Sequence, residues 1–204
     1  MYQGTLFIVS APSGAGKTSL VNELVACTKK IAISISHTTR PQRQGEENGL
    51  HYHFIDREQF QKMANTGQFL EHAQVFGNYY GTSQAWVEGE LEKGRDIILE
   101  IDWQGAQQVR RLIPSSVSVF VLPPSKESLE QRLQSRGKDS EEVINQRLEK
   151  AVEEMQHYVE ADFVIINDEF ELALQQLKAV VISERLKIRR QMVDQSDRVK
   201  QLLS

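Results

Sequence analysis

Leu6-Phe7-Ile8-Val9 runs directly into Ser10-Ala11-Pro12-Ser13-Gly14-Ala15-Gly16-Lys17-Thr18-Ser19, an apolar strand, a loop of small residues and the start of a helix. A phosphate-binding loop needs that order of elements. Small residues and glycines let backbone N–H groups converge on phosphate oxygens, Lys17 brings a mobile cation, and Thr18 offers a hydroxyl to Mg²⁺. The helix that follows adds the positive end of its dipole. The pattern G-x-x-x-x-G-K-[ST] opens with glycine, and Ala11 stands there instead. Alanine keeps the smallness but not the easy access to positive φ, so Ala11 is expected at negative φ. Ala11, Pro12, Ser13, Gly14, Ala15, Gly16, Lys17, Thr18 and Ser19 are the expected contacts of a nucleoside triphosphate.

Further apolar, β-branched runs at 97–101, 117–122 and 163–166 are near-continuous rather than alternating, as strands buried on both faces should be. A shorter run at 31–35 adds a fifth. Helical segments at 17–28, 104–112 and from Phe170 onward separate several of them, which predicts an α/β fold with a parallel sheet of about five strands flanked by helices. Ligands of such sheets bind beyond the carboxyl ends of the strands, where the phosphate loop begins.

Two stretches interrupt the alternation. Residues 37–93 hold short apolar runs, several turns and a helix opened by the cap pattern Asp56 and Gln59, and are expected to form a small, partly β insertion. Residues 125–158 are strongly charged, with one helix ending near Gly137 and another starting at Asp139, where Glu142 completes a second cap pattern. Two helices joined by a glycine hinge suit a lid. The remaining segments, 1–36, 94–124 and 159–204, form the expected core. From Phe170 the residues Leu172, Leu174, Leu177, Val180, Val181 and Leu186 supply an apolar stripe, and 187–204 is mostly polar, open to reading as a protruding helix, an assembly contact or a frayed tail.

Among 204 residues, 28 acidic against 24 basic side chains leave a net charge of -4, so no global attraction draws the chain to nucleic acid or anionic membrane. An anionic ligand must be met by a local cluster. One cysteine, Cys27, excludes an intrachain disulfide and is expected to pack as a small apolar residue. No apolar run approaches the roughly 20 residues of a membrane helix, and the first strand begins too early for an export signal, so a cytoplasmic location is expected.

A local cluster is present. Ser34-Ile35-Ser36-His37-Thr38-Thr39-Arg40-Pro41-Gln42-Arg43, then Gly45-Glu46-Glu47-Asn48-Gly49 and Tyr52, gathers two arginines, hydroxyls and a tyrosine, donors suited to a phosphate monoester. With the phosphate loop, and with Phe69-Leu70-Glu71, Gly77-Asn78-Tyr79-Tyr80-Gly81-Thr82 and Asp102-Trp103-Gln104-Gly105 in that order, the chain resembles the guanylate kinase family from Leu6 to about Arg185. The resemblance implies a P-loop kinase fold with a GMP-binding insertion and a helical lid, transferring the terminal phosphate of ATP to GMP by direct in-line phosphoryl transfer. It implies that Arg40, Arg43, Tyr52 and Tyr80 hold the GMP phosphate and that Ser36, Glu71, Thr82 and Asp102 surround the guanine. Relatives often carry serine at the Thr82 position; threonine keeps the hydroxyl. Lys17, Arg40, Arg43, Arg136 and Arg147 are the implied catalytic residues, with Arg132 a lesser lid cation. Asn167 falls near the adenine of ATP. Thr18 is the implied Mg²⁺ ligand, with Asp102 reaching the metal through water.

The base chemistry is coherent on its own terms. Guanine offers N1–H and an amino group as donors and O6 as acceptor, a complement to two carboxylates and two hydroxyls. The expected partners are ATP and GMP, with dGMP as a further acceptor and a second copy of the chain through the C-terminal helix, but no nucleic acid and no membrane. His51 and His53, two apart on a strand, are expected to share a solvated face, and no histidine is assigned a catalytic role. Trp86 and Trp103 are read as packing residues. Another small-molecule kinase would lack the guanine-directed residues. A noncatalytic scaffold module would lose the phosphate-loop chemistry that Gly16, Lys17 and Thr18 retain.

Overall fold

The computed structural model describes residues 4–75, 77–135 and 141–204. The chain runs through β1 (Leu6–Ser10), α1 (Lys17–Cys27) and β2 (Ile31–Ile33) into a smaller unit of β3 (His37–Thr38), β4 (His53–Phe54), α2 (Arg57–Asn65), β5 (Phe69–Val75) and β6 (Asn78–Ser83). It returns through α3 (Gln84–Glu92), β7 (Asp96–Glu100), α4 (Trp103–Leu112) and β8 (Val117–Leu122). Helices α5 (Lys126–Ser135) and α6 (Glu141–Met155) follow, then a 3-10 turn (Gln156–Glu160), β9 (Phe163–Ile166), α7 (Phe170–Leu186), α8 (Ile188–Asp194) and α9 (Ser196–Leu203).

The main sheet is parallel throughout, in the order β2-β7-β1-β8-β9. Its strands are the five apolar runs of the sequence, with β2 ending at Ile33 although the Ser34 N–H still donates to the Ile98 carbonyl (2.9 Å). Side chains of a strand alternate between faces. Phe7 and Val9 therefore join Leu20, Leu24, Leu177 and Val181 on the side of α1 and α7, whereas Leu6 and Ile8 join Val87, Leu91 and Val109 on the side of α3 and α4. Both faces are covered along β1, β7 and β8, which is why no polar alternation marks them; the edge strand β9, expected to be buried on both faces, buries only Ile165 and leaves Phe163, Val164 and Ile166 exposed. The order of connection reverses at β1, and the crevice above its carboxyl end is where an open α/β sheet binds ligands.

The smaller unit is a mixed sheet in the order β4-β3-β6-β5, with β5 and β6 antiparallel. Asp56 caps α2 by accepting from the Gln59 N–H (2.7 Å), as its spacing predicts. Helix α3 follows this sheet but packs Val87 and Leu91 into the core. The hinge at Gly137 and the cap at Asp139 lie outside the described residues.

At the amino end of the main sheet Asp96 is fully buried. Its carboxylate accepts from the Thr5 N–H (2.8 Å), Arg185 Nε (2.7 Å) and Arg190 Nη1 (3.3 Å), joining β1, β7, α7 and α8.

Three further expectations need correction. The buried stripe of α7 is Ala173, Leu177, Val180, Val181 and Glu184, a spacing that follows one helix face, and it leaves Leu172 and Leu186 exposed off that face. Cys27 is exposed in the last turn of α1, its thiol bonding locally to the Leu24 carbonyl (3.5 Å) rather than packing in the core. His51 lies in the turn before β4, where its Nδ1 accepts from the Glu47 N–H (3.0 Å), so it shares no strand face with His53. His53 instead lies against His37, the rings tilted by 31° with centroids 4.7 Å apart. Burial and the neighbouring His53 hold His37 below the usual imidazole range.

Candidate active site

Between the carboxyl ends of β1 and β7 and the smaller sheet lies a cleft of about 300 Å³. The loop at 11–16 forms its floor. Gly14 and Gly16 take φ of +93° and +90°, a region open to glycine at little cost. Ala11 avoids that region, as expected: among the described residues Lys30 alone is a non-glycine at positive φ. A Cβ at Gly16 would strike the Asn167 side-chain amide. That amide donates to the Ala15 carbonyl (2.7 Å), and Arg132 donates to the carbonyls of Ala15 (3.4 Å) and Asn167 (3.1 Å). The loop is thus braced from β9 and α5. Lys17 Nζ donates to the Ile101 carbonyl (3.2 Å) and the Thr18 hydroxyl to Glu100 Oε2 (2.9 Å), so both reach across to β7.

Opposite the loop stands a buried carboxylate. Glu71 on β5 and Thr82 on β6 are paired residues of the antiparallel ladder, and the Thr82 hydroxyl donates to Glu71 Oε1 (2.5 Å). Glu71 is only 3% exposed, and burial pushes its carboxyl up to about 7; the Thr82 hydroxyl opposes that rise, and the nearby Asp102 charge adds to it. Its second oxygen lies against Gly105, where any Cβ would collide with it. Gly105 belongs to the first turn of α4, whose cap is Asp102: the Asp102 carboxylate accepts from the Gly105 N–H (3.0 Å) and from Gln104 Nε2 (3.0 Å). One helix start therefore supplies an acid to the cleft and the space for another. Ser36, half-buried, lines the same wall.

Tyr52 and Tyr80 close the end of the cleft with their rings edge to face at 5.9 Å. Burial raises the Tyr52 hydroxyl above its ordinary range. Behind them the Arg40 guanidinium lies 5.4 Å from the Tyr52 ring centre and forks onto Glu46, Nη2 to Oε1 at 2.7 Å and Nη1 to Oε2 at 3.1 Å. That fork holds Glu46 below the usual carboxylate range. The Arg43 side chain is exposed, and its N–H donates to Glu46 Oε2 (2.8 Å).

A family model described as guanylate kinase matches residues 3–184. The chain belongs to the guanylate kinase family. The guanylate kinase of Hahella chejuensis is 59% identical over 193 residues, covering 95% of this chain and 93% of its own. That of Saccharophagus degradans is 55% identical over 201 residues, covering 98% of each. A crystal structure of guanylate kinase from Anaplasma phagocytophilum superposes with a TM-score of 0.78 at 34% identity, over 93% of this chain and 90% of that one.

Of the residues singled out by the family resemblance, the fold brings Ser36, Tyr52, Glu71, Tyr80 and Asp102 to one cleft with Lys17 and Thr18, and seats Thr82 fully buried behind Glu71. Ala15, Ser19, Arg40, Arg43, Arg132, Arg147 and Asn167 do not line that cleft, and Arg136 lies outside the described residues. Glu100 was missed by sequence reasoning. The signal was available: an acid ending the strand beside the phosphate-loop strand, paired with Val9 in the parallel register. Glu46 stood in a quoted motif without a role, because only the turn at 41–46 folds it back onto Arg40. Trp103, read as a packing residue, stacks on His157 with ring centroids 3.7 Å apart, whereas Trp86 is more than a third exposed.

Proposed function

We propose that the chain is an ATP:GMP phosphotransferase, moving the terminal phosphate of ATP to GMP and giving ADP and GDP. The carrying observation is the buried Glu71–Thr82 pair in one cleft with the phosphate loop. Guanine N1–H and its amino group are donors that carboxylates at Glu71 and Asp102 accept, while the Ser36 hydroxyl is free to serve as donor or acceptor. Adenine has an unprotonated N1 and would leave the buried Glu71 without its donor. A site built on such bonds discriminates by roughly 10⁴ or more.

In this reading the loop amides and Lys17 hold the ATP phosphates, while Arg40, Arg43, Tyr52 and Tyr80 take the GMP phosphate. The Arg40 fork on Glu46 supports this role, since a guanidinium that grips a carboxylate edge-on is equally shaped for a phosphate. An anionic oxygen of the GMP phosphate forms the new bond to the terminal phosphorus of ATP as the bond to the ADP oxygen breaks, and ADP departs with that electron pair. The nucleophile is already ionised, so no strong general base is needed, and positioning and charge neutralisation carry the rate. Arg136 and Arg147, with Arg132, are the lid cations assigned to the developing charge. Asn167 supports the ATP site near the adenine.

The donor set fits Mg²⁺. The Thr18 hydroxyl meets Glu100 Oε2, and Asp102 lines the same cleft: hard oxygen ligands, two of them charged. Thr18 would hold the ion directly, with Glu100 and Asp102 through its water. When bound, the ion neutralises phosphate charge. We assign the cytoplasm as the location and dGMP as a second acceptor, and the exposed Ile188, Met192, Val199 and Leu202 of the C-terminal helices as the contact in a homo-oligomer.

The test is ADP production by the purified protein with ATP, Mg²⁺ and each of GMP, dGMP, AMP, UMP and dTMP. Turnover confined to the guanine nucleotides is expected. Preference for another acceptor would overturn the base reading, and no turnover with any acceptor would overturn the kinase reading.

A further inference from the structure

One charged side chain in the cleft has no part in the reaction as described. Glu154, on the last turns of α6, reaches in from the lid and lines the same cavity as Ser13, Gly14, Gly16, Lys17 and Thr18. A carboxylate there is unexpected. The loop's amides and lysine are built to receive an anion, and three other acids, Glu71, Glu100 and Asp102, already line the same cleft. A fourth acid is favourable only if the loop itself accepts it as an anion.

The local contacts agree with that role. Burial, with the Asp102 charge, pushes the Glu154 carboxyl above its ordinary range, while Lys150, the Ser13 backbone and Lys17 favour its charged form. Ser13 belongs to the loop that the sequence marks for phosphate. Lys150 lies one turn upstream on α6, on the same helix face. The carboxylate is thus carried by a lid helix into the cavity that the phosphate loop lines, the space that a nucleotide's phosphates would fill.

We propose that Glu154 is a resident competitor for the donor-phosphate site: its carboxylate takes the loop amides when the nucleotide is absent, and ATP must expel it, moving the end of α6 as it binds. The proposal rests on reading residues 11–18 as the ATP site. Its consequence is quantitative. A fraction of the protein is held in a form closed to ATP, and the apparent affinity is reduced by that fraction. Occupation of the phosphate loop and displacement of the lid helix then become one event, so the lid is released only when a donor has arrived. Replacing the acid by its neutral isostere removes the competitor and keeps the size.

Equilibrium binding of ATP in the presence of Mg²⁺ and without any acceptor reads this directly, by calorimetry on wild type, Glu154→Gln and Glu154→Ala, with unfolding midpoints as a check on the fold. Both variants are expected to bind ATP about threefold to tenfold more tightly than wild type. Inorganic tripolyphosphate, which meets the loop without a base, should show the same gain, and adenosine should show none. Equal or weaker ATP binding by the two variants overturns the proposal and leaves Glu154 as a structural or metal-side residue. Absence of ATP binding by wild type overturns the reading of the loop itself, a distinct result. Should Glu154→Ala unfold, Glu154→Gln alone decides.

Discussion

Glu71 and Thr82 face each other across β5 and β6, and the Thr82 hydroxyl donates at 2.5 Å to a carboxylate that is 3% exposed. Such a carboxylate has one oxygen satisfied by the protein and one, beside Gly105, held against a bare backbone. It is a site that asks for a donor. Removing it should therefore change which acceptor is used more than whether ATP binds. For Glu71→Gln we expect kcat/KM with GMP to fall by about 10²-fold or more, because the amide cannot accept from N1–H and the amino group together, with ATP affinity retained. A variant with wild-type selectivity for GMP over AMP would contradict the assignment.

The same burial predicts a pH dependence. Glu71 ionises at about 7 in the fold against 4.5 for an ordinary carboxyl. Between those values the folded chain keeps a proton that the unfolded chain has lost, so the contribution of this group to stability falls as pH rises through the window and stays low above it. Urea unfolding of wild type and Glu71→Gln from about pH 4 to pH 8 should show the variant gaining relative to wild type until about pH 7, then levelling. Carboxyl ¹³C NMR should show the Glu71 titration move downward when GMP binds, since a bound N1–H favours the ionised form. No movement would argue against that contact.

Lys17 is the mobile cation of the loop, and its Nζ is already anchored at the Ile101 carbonyl, so the side chain is part-ordered before any ligand arrives. Lys17→Met keeps length and loses charge. We expect turnover to fall below about 10⁻³ of wild type with the unfolding midpoint little changed. Wild-type-like activity would overturn the mechanism.

Arg40 holds Glu46 through two parallel bonds. A lysine cannot reproduce that fork. Arg40→Ala and Arg40→Lys should both raise KM for GMP by about 10-fold to 100-fold while KM for ATP stays within about twofold, as steady-state kinetics with each substrate varied would read. Full rescue by lysine would mean that only charge, and not the planar fork, is used.

Asp96 joins β1, β7, α7 and α8 from the amino end of the sheet, opposite the cleft. Asp96→Asn removes the buried carboxylate shared by Arg185 and Arg190 and leaves Arg190, only 4% exposed, with Asp194 as its carboxylate partner, and should cost about 3 kcal/mol of stability. Because the change lies at the far end of the strands, the kinetic constants of the protein that remains folded should not move. Urea titration and assays below the transition check both halves.

The middle of the main sheet was legible because β1, β7 and β8 are buried on both faces, and burial on both faces leaves a continuous apolar signature that needs no knowledge of the partner strands. The phosphate loop was legible for a related reason: its chemistry resides in backbone groups and in a fixed local spacing. The smaller sheet was less so. β3 and β4 have two residues each and pair only through contacts made far along the chain, so their periodicity is too short to read. Leu172, Leu186 and Cys27 were misplaced because apolar character says that a residue can be buried, whereas the direction of a helix face says whether it is.

From its residues alone this protein is a phosphate-loop α/β protein whose order of motifs places it beside the guanylate kinases, because strand burial and loop chemistry are local properties that spacing encodes. Only the tertiary structure joins Glu100 to Thr18, seats Glu71 against Gly105, forks Arg40 onto Glu46 and brings Glu154 to the phosphate loop. Each of these relationships links residues set in place by different elements or by a turn. Electrostatic and hydrogen-bond partners are chosen by distance in space, which the folded chain sets and the order of residues does not display.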